Sequence, residues 1–284
     1  GFVKKISDYI TKKVADKLSG MCKTDRENYE KYWDDIAPFI KFGCLKDEKF
    51  AEKMDDYIIY KNLEGKYLTL ADCLAKAKEE NHENKIFYVT DEKEQGQYVS
   101  LFKENGQDAV ILPHNIDSPF ITHEEQKHEN VKFLRIDADV NETLKEEVTE
   151  DEKEALKKQE ETLTGIFRKA LDNDKLQVKV EKLKDASLSS MITLSEETRR
   201  MQDMMKMYNM YGMDPSMFGG DGQVLVLNAN NDLVKYVLEN GEGEKTPQIC
   251  EQLYDLALLS HGSLTPERMT KFIARTNSLM GKLI

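Results

Sequence analysis

The chain has 284 residues, with 53 acids against 41 bases and a formal net charge of −12. That balance disfavours nucleic acid and anionic membrane as partners, because both need a basic face. Length predicts about two domains at roughly 150 residues each, and no apolar run approaches the ~18 residues of a membrane span.

No signal-peptide layout follows Lys4 and Lys5, since the next stretch is amphipathic. Cys22, Cys44, Cys73 and Cys250 are widely scattered, and none forms a C-x-x-C pair or a Cys/His cluster with zinc spacing. Four reduced thiols in a reducing, cytoplasmic setting are expected.

The first sixty or so residues read as helices. Val3, Ile6, Ile10, Val14 and Leu18 keep helical spacing, and Ser19-Gly20 is the expected stop. Thr24-Asp25-Arg26-Glu27 has the form of a capping box. It opens a helix carrying Tyr29, Tyr32, Trp33, Ile36 and Ile40, in which Pro38 predicts a kink or an early end. A third helix is expected through Phe50, Met54, Tyr57 and Ile58.

From Thr69 the pattern changes. Thr69-Leu-Ala-Asp72 caps a helix through Leu74 and Ala77. Three short apolar runs follow, at 86–89, 109–112 and 131–136. The first two are continuous, as buried parallel strands are. Residues 97–105 supply one crossover helix, and Ser118-Pro119, a cap followed by proline, starts another. The result is a small parallel βαβαβ layer.

An acidic linker feeds a helix from Glu150 through Leu156, Leu163, Phe167 and Leu171. Strands are expected at Leu176–Leu183, Leu188–Leu194 and Val224–Leu227. Between the last two lies a methionine-rich segment: eight of the twelve methionines fall between Met191 and Met217. Met201, Met204, Met205 and Tyr208 have helical spacing, and Met207 and Met210 widen the stripe. Such a stripe suits either a buried core helix or a surface that adapts to varied apolar partners. Four glycines and Pro215 mark a loop after it.

Thr246-Pro247 and Thr265-Pro266 open the last two helices. The first carries Ile249, Leu253, Leu256 and Ala257, the second Met269, Phe272, Ile273 and Leu279. Either a partner subunit or the chain's own strands can bury these faces.

Candidates for catalysis are sparse. His123 and His128 are five apart, off the spacing that puts two ligands on one helical face, and no metal site is expected. His114 follows Pro113 at the end of a parallel strand, near Asp117 and Ser118, where α/β ligand sites gather. An α/β enzyme fragment binding a nucleotide or phosphorylated small molecule near His114 and Thr90 is therefore the alternative reading. The adjacent pairs Asp34-Asp35 and Asp55-Asp56 diverge on a helix. Gly219-Gly-Asp-Gly222 matches no phosphate-loop pattern between a strand and a helix. No catalytic residue is assigned.

Several segments together resemble the ninety-kilodalton heat-shock chaperone family, of the bacterial type called high-temperature protein G. Tyr29-Glu-Lys-Tyr-Trp-Asp-Asp-Ile-Ala-Pro-Phe-Ile-Lys-Phe-Gly43 is similar to its middle-domain helical segment. Lys85–Thr90, Asp108–Leu112 and Asn115–Asp117 are similar to its small α/β layer. Leu225–Lys235 resembles a strand and turn of its C-terminal domain, and Leu253–Leu259 its dimer helix. The resemblance runs in the family's order along essentially the whole chain.

It implies a fold of α/β and α+β class. A helical segment spans 1–64, a small α/β layer 65–140, and a mixed α+β dimerisation and client-binding domain 141–284, ending in a helix pair. It implies a homodimer, with Ile249, Leu253, Leu256, Met269, Phe272, Ile273 and Leu279 at the interface. Positions matching the family's client contacts are Met204, Met207 and Tyr208, with Met201 extending the surface and Phe120 adding an aromatic contact on the small layer. Non-native client proteins are the implied partners. ATP and Mg2+ would belong to an absent N-terminal domain, so no cofactor and no ATP hydrolysis are expected here. The ending Lys282-Leu-Ile284 lacks the Glu-Glu-Val-Asp tail of eukaryotic cytosolic members, which points to a bacterial source.

Overall fold

Helix α1 (Phe2–Thr24) runs past the expected stop at Ser19-Gly20. Gly20 does not take the left-handed conformation of a terminating glycine. The hydroxyls nearby bond back into the helix: Ser19 donates to the Asp16 carbonyl at 3.1 Å and Thr24 to the Gly20 carbonyl at 2.8 Å. This use of Thr24 also removes the expected capping box. Asp25 is the N-cap of α2 (Arg26–Lys46), with no side-chain cap bond. Helix α2 continues through Pro38 instead of ending there.

The computed structural model describes residues 1–138, 144–194, 198, 200–201, 222–261 and 264–281. It divides into two units: residues 1–91 and 102–135 form the first, and residues 92–101 with the described residues from 136 onward form the second.

In the first unit, Asp47 caps α3 (Glu48–Met54) by accepting from the Lys49 and Phe50 N–H groups. A short 3-10 turn (Asp55–Tyr57) ends the helical segment, so Tyr57 and Ile58 do not extend α3. An antiparallel hairpin follows, which the apolar pattern does not announce: β1 (Ile59–Lys61) pairs with β2 (Tyr67–Thr69). Its turn is built by Asn62, whose side-chain oxygen accepts from the Glu64 and Lys66 N–H groups at 3.0 and 2.8 Å. Gly65 sits at φ +78°, a conformation glycine adopts without strain.

Thr69 and Asp72 form a reciprocal capping box on α4 (Leu70–Glu79). The parallel sheet has the order β4-β3-β5, with β3 (Lys85–Val89) central between β4 (Val110–Ile111) and β5 (Lys132–Arg135). Helix α5 is Gly96–Glu104, with residues 96–101 assigned to the second unit, and α6 is Asp117–Lys127. Helix α6 opens one residue before Ser118, so Pro119 lies inside its first turn, where no intrahelical N–H is needed. Tyr29 and Trp33 of α2, Met54 of α3, Tyr60 of β1, Phe120 of α6 and Phe133 of β5 share one buried core.

In the second unit, Thr149 and Glu152 make the same capping box on α7 (Glu150–Leu171). Strand β8 (Gln223–Asn228) runs parallel to β6 (Gln177–Glu181) and antiparallel to β7 (Ser190–Leu194), giving the order β6-β8-β7. Asn228 closes the sheet. Its buried amide donates to the Asp185 and Leu188 carbonyls at 2.9 and 2.7 Å and accepts from the Leu183 and Asn230 N–H groups. All four hydrogen-bonding capacities are filled. Asn231 caps α8 (Asp232–Glu239), and α9 (Thr246–His261) and α10 (Pro266–Gly281) follow. Leu163 and Phe167 of α7 meet Leu225 and Leu227 of β8 and Leu253 of α9 in a second core.

Phe167 is fully buried there. Phe167→Ala is expected to destabilise the fold by about 3–5 kcal/mol, the range for truncating a core aromatic. A fall in the urea midpoint of the far-ultraviolet circular dichroism signal checks it.

Candidate functional site

Helix α9 is apolar on two sides. Cys250, Leu253 and Ala257, at i, i+3 and i+7, are fully buried in the second core. Leu256, on the other side, is 40% exposed. Leu253, expected on the dimer face, is therefore corrected: it packs inside its own unit. Ile249 packs partly against the same core.

Helix α10 contains no buried residue. Charge holds it to α9. Asp255, buried at 2% exposure, accepts from Arg268 Nε at 2.9 Å and Nη2 at 2.6 Å, and from Arg275 Nη2. Arg275 also donates to Glu251 at 2.7 Å and to Gln252 at 2.8 Å. The Arg268 guanidinium lies 5.0 Å from the Tyr254 ring centre. Arg268 and Arg275 are two turns apart, so one face of α10 is taken by the ion pairs. Met269, Ile273 and Met280, at i, i+4 and i+11, form a neighbouring apolar stripe, in which Ile273 is 52% and Met280 53% exposed. Phe272 and Leu279 are half-buried.

Met201 is helical and half-buried. Met204, Met207 and Tyr208 lie outside the described residues, as does the glycine-rich loop. Phe120 is corrected. Its ring is fully buried in the first core, 5.6 Å from the Lys41 ammonium, and offers no surface to a client. A separate apolar surface occurs in the first unit, where α1, α2 and α3 line a groove of about 690 Å³ that includes Ile10, Val14, Phe39 and Phe42. All four of these side chains are exposed.

The environment of His114 does not assemble a catalytic group. Asp117, the carboxylate that would orient it, is buried and paired with the buried Lys41. Its other oxygen accepts from the His114 backbone N–H at 2.8 Å. The imidazole Nδ1 is 3.7 Å from that oxygen, beyond hydrogen-bond distance. The four cysteines are free and buried. Burial pushes the thiols of Cys44, Cys73 and Cys250 up to about 12, so they stay protonated and unreactive at neutral pH.

Two groupings go unread in the sequence. Lys41 falls on the apolar face of α2 beside Ala37, Ile40 and Cys44, and a lysine there was the signal of a buried counter-charge. Glu124 and His128 are i, i+4, a ligand spacing that a search for histidine pairs overlooks. Around them, His128 Nε2 is 2.9 Å from Asp55 Oδ1, and Lys127 Nζ is 2.9 Å from the same oxygen. Burial, then the Asp55 charge, raises the Glu124 carboxyl above its ordinary range. His123 and His128 are half-buried, not fully exposed surface groups.

The two cores, the parallel layer and the charged helix pair define a mixed α+β protein. The family model described as Hsp90 protein matches residues 1–284. The chain belongs to this family. It is 33% identical over 264 residues to the Chaperone protein HtpG of Bacteroides thetaiotaomicron, covering 87% of this chain and 37% of that protein. The HtpG of Bacteroides fragilis is 34% identical over 260 residues, with the same coverage of 87% and 37%. That of Clostridium acetobutylicum is 25% identical over 292 residues, covering 98% of this chain and 44% of the relative. The chain thus spans less than half the length of these relatives.

Lys41→Met leaves the Asp117 carboxylate buried without its counter-charge, and is expected to cost about 3–5 kcal/mol. Adding Asp117→Leu is expected to recover most of that loss, because the uncompensated charge is then gone. Urea unfolding of both variants, followed by Trp33 fluorescence, checks it.

Proposed function

We propose that this chain is the dimerising, client-holding portion of a molecular chaperone that works in the cytoplasm. The observation that carries the reading is the helix pair of α9 and α10. Leu256, Ile273 and Met280 are exposed on helices otherwise fixed by a buried carboxylate, and an apolar stripe on a rigid support is what a subunit partner covers. Met269, Phe272 and Leu279 complete the face. Ile249 borders it, and Leu253 supports it from within.

Non-native clients bind, in this reading, through the methionine-rich helix, with Met201, Met204, Met207 and Tyr208 as contacts. Thioether side chains adapt to many apolar shapes and specify none, so binding is weak and general. ATP and Mg2+ act in a domain outside this chain and drive it from there. The relatives' printed name, Chaperone protein HtpG, supports this reading. The engagement of Asp117 by Lys41 weighs against nucleotide chemistry at His114.

The test is aggregation suppression. A chain carrying Met204→Ser, Met207→Ser and Tyr208→Ser should keep its oligomeric state. It should need roughly tenfold more protein to hold an unfolding client in solution, the equivalent of losing about 1.4 kcal/mol of apolar contact. Unchanged suppression would overturn the client assignment.

A further inference from the structure

One polar cluster in the first unit has no part in the reading above. Helix α6 brings Glu124 and its capping residue His128 to the same side, one turn apart, and the end of α3 brings Asp55 against them. One donor atom from each residue lies within 4.8 Å of the other two. His128 Nε2 is 2.9 Å from Asp55 Oδ1 and 3.8 Å from Glu124 Oε2.

Glu124 makes this more than a crowd of charges. Its side chain is only 4% exposed, and Oε2 has no hydrogen-bond partner. A buried carboxylate oxygen in that position is costly unless something satisfies it. It is aimed at the same imidazole nitrogen that Asp55 already contacts.

The spacing fits a small cation. Ligand atoms bonded at about 2.0–2.2 Å to a tetrahedral metal sit roughly 3.4 Å apart. Two of the three separations, 2.9 and 3.8 Å, bracket that figure, and the third, between the Asp55 and Glu124 oxygens, is within 4.8 Å, so the two carboxylates draw together on binding. Carboxylates alone would suit Mg2+ or Ca2+, whereas an added imidazole turns preference toward first-row transition cations.

We propose that Asp55, Glu124 and His128 form a binding site for a divalent transition cation of the zinc class, completed by water. Lys127 does not close the site. Its ammonium also donates to the Ala51 carbonyl at 3.1 Å, which retains it when the cation takes over Asp55. The His128 side chain is 26% exposed, which gives the cation a way in from solvent. Bound there, it ties α6 to the end of α3 and stabilises the first unit by mass action.

The full chain, stripped with a chelator, is titrated with Zn2+ by calorimetry and native mass spectrometry. A saturable single equivalent with a raised melting temperature is expected. Glu124→Gln and His128→Asn should each weaken it at least about tenfold, while His114→Asn should leave it unchanged. Absence of saturable uptake overturns the proposal, as does uptake that survives both substitutions or is lost with His114→Asn. If either variant fails to fold by circular dichroism, Co2+ added to the unsubstituted chain decides. Broadening of the His128 ring resonances ahead of those of His82 and His114 supports the site, and equal or absent broadening overturns it.

Discussion

A buried carboxylate is the centre of the contacts that hold the last described helix of this chain. Asp255 is almost wholly enclosed and accepts from both Arg268 and Arg275. A charge placed there without partners would be prohibitively unfavourable, so the two guanidinium groups are obligatory. They fix the rotation of α10 about its own axis, and that rotation decides what α10 shows to solvent. An apolar seam would have hidden Ile273 and Met280 against α9. The ionic seam leaves them exposed.

The same economy of means recurs in the first unit. Lys41 and Asp117 are both buried, and their pairing locks α2 to the first turn of α6. Because Asp117 also accepts the His114 backbone N–H, the loop after β4 is fastened to that pair. A polar residue at a strand end is therefore a structural tie here, and the alternative reading of an enzyme around His114 loses its orienting acid. Phe120, one turn along α6, lies under the Lys41 ammonium, which is why an aromatic residue in a family-like position is core and not surface.

What the sequence makes legible depends on how local the physics is. The boxes at Thr69 and Thr149 are readable because donor and acceptor are three residues apart and both are present. Thr24 fails the same pattern, since its hydroxyl has a nearer carbonyl in the preceding turn. Parallel strands at β3, β4 and β5 show as short apolar runs, whereas the β1–β2 hairpin hides because Asn62 builds its turn through side-chain bonds. Helix α9 illustrates the limit for sites. Leu253 and Leu256 are equally apolar and three residues apart, yet one is sealed in the second core and the other faces out. Periodicity marks faces that need covering but does not name the cover. Buried ion pairs are less legible still, because their partners lie far apart in sequence. Lys41 and Asp117 are separated by 76 positions.

The proposed subunit association through α9 and α10 rests on the apolar stripe that the helix pair leaves exposed. Sedimentation velocity of the unsubstituted chain across a dilution series tests this most directly. A species of about twice the 32.8 kDa chain mass that persists at low concentration is expected. A chain that sediments at its own mass even at the highest concentration would contradict it.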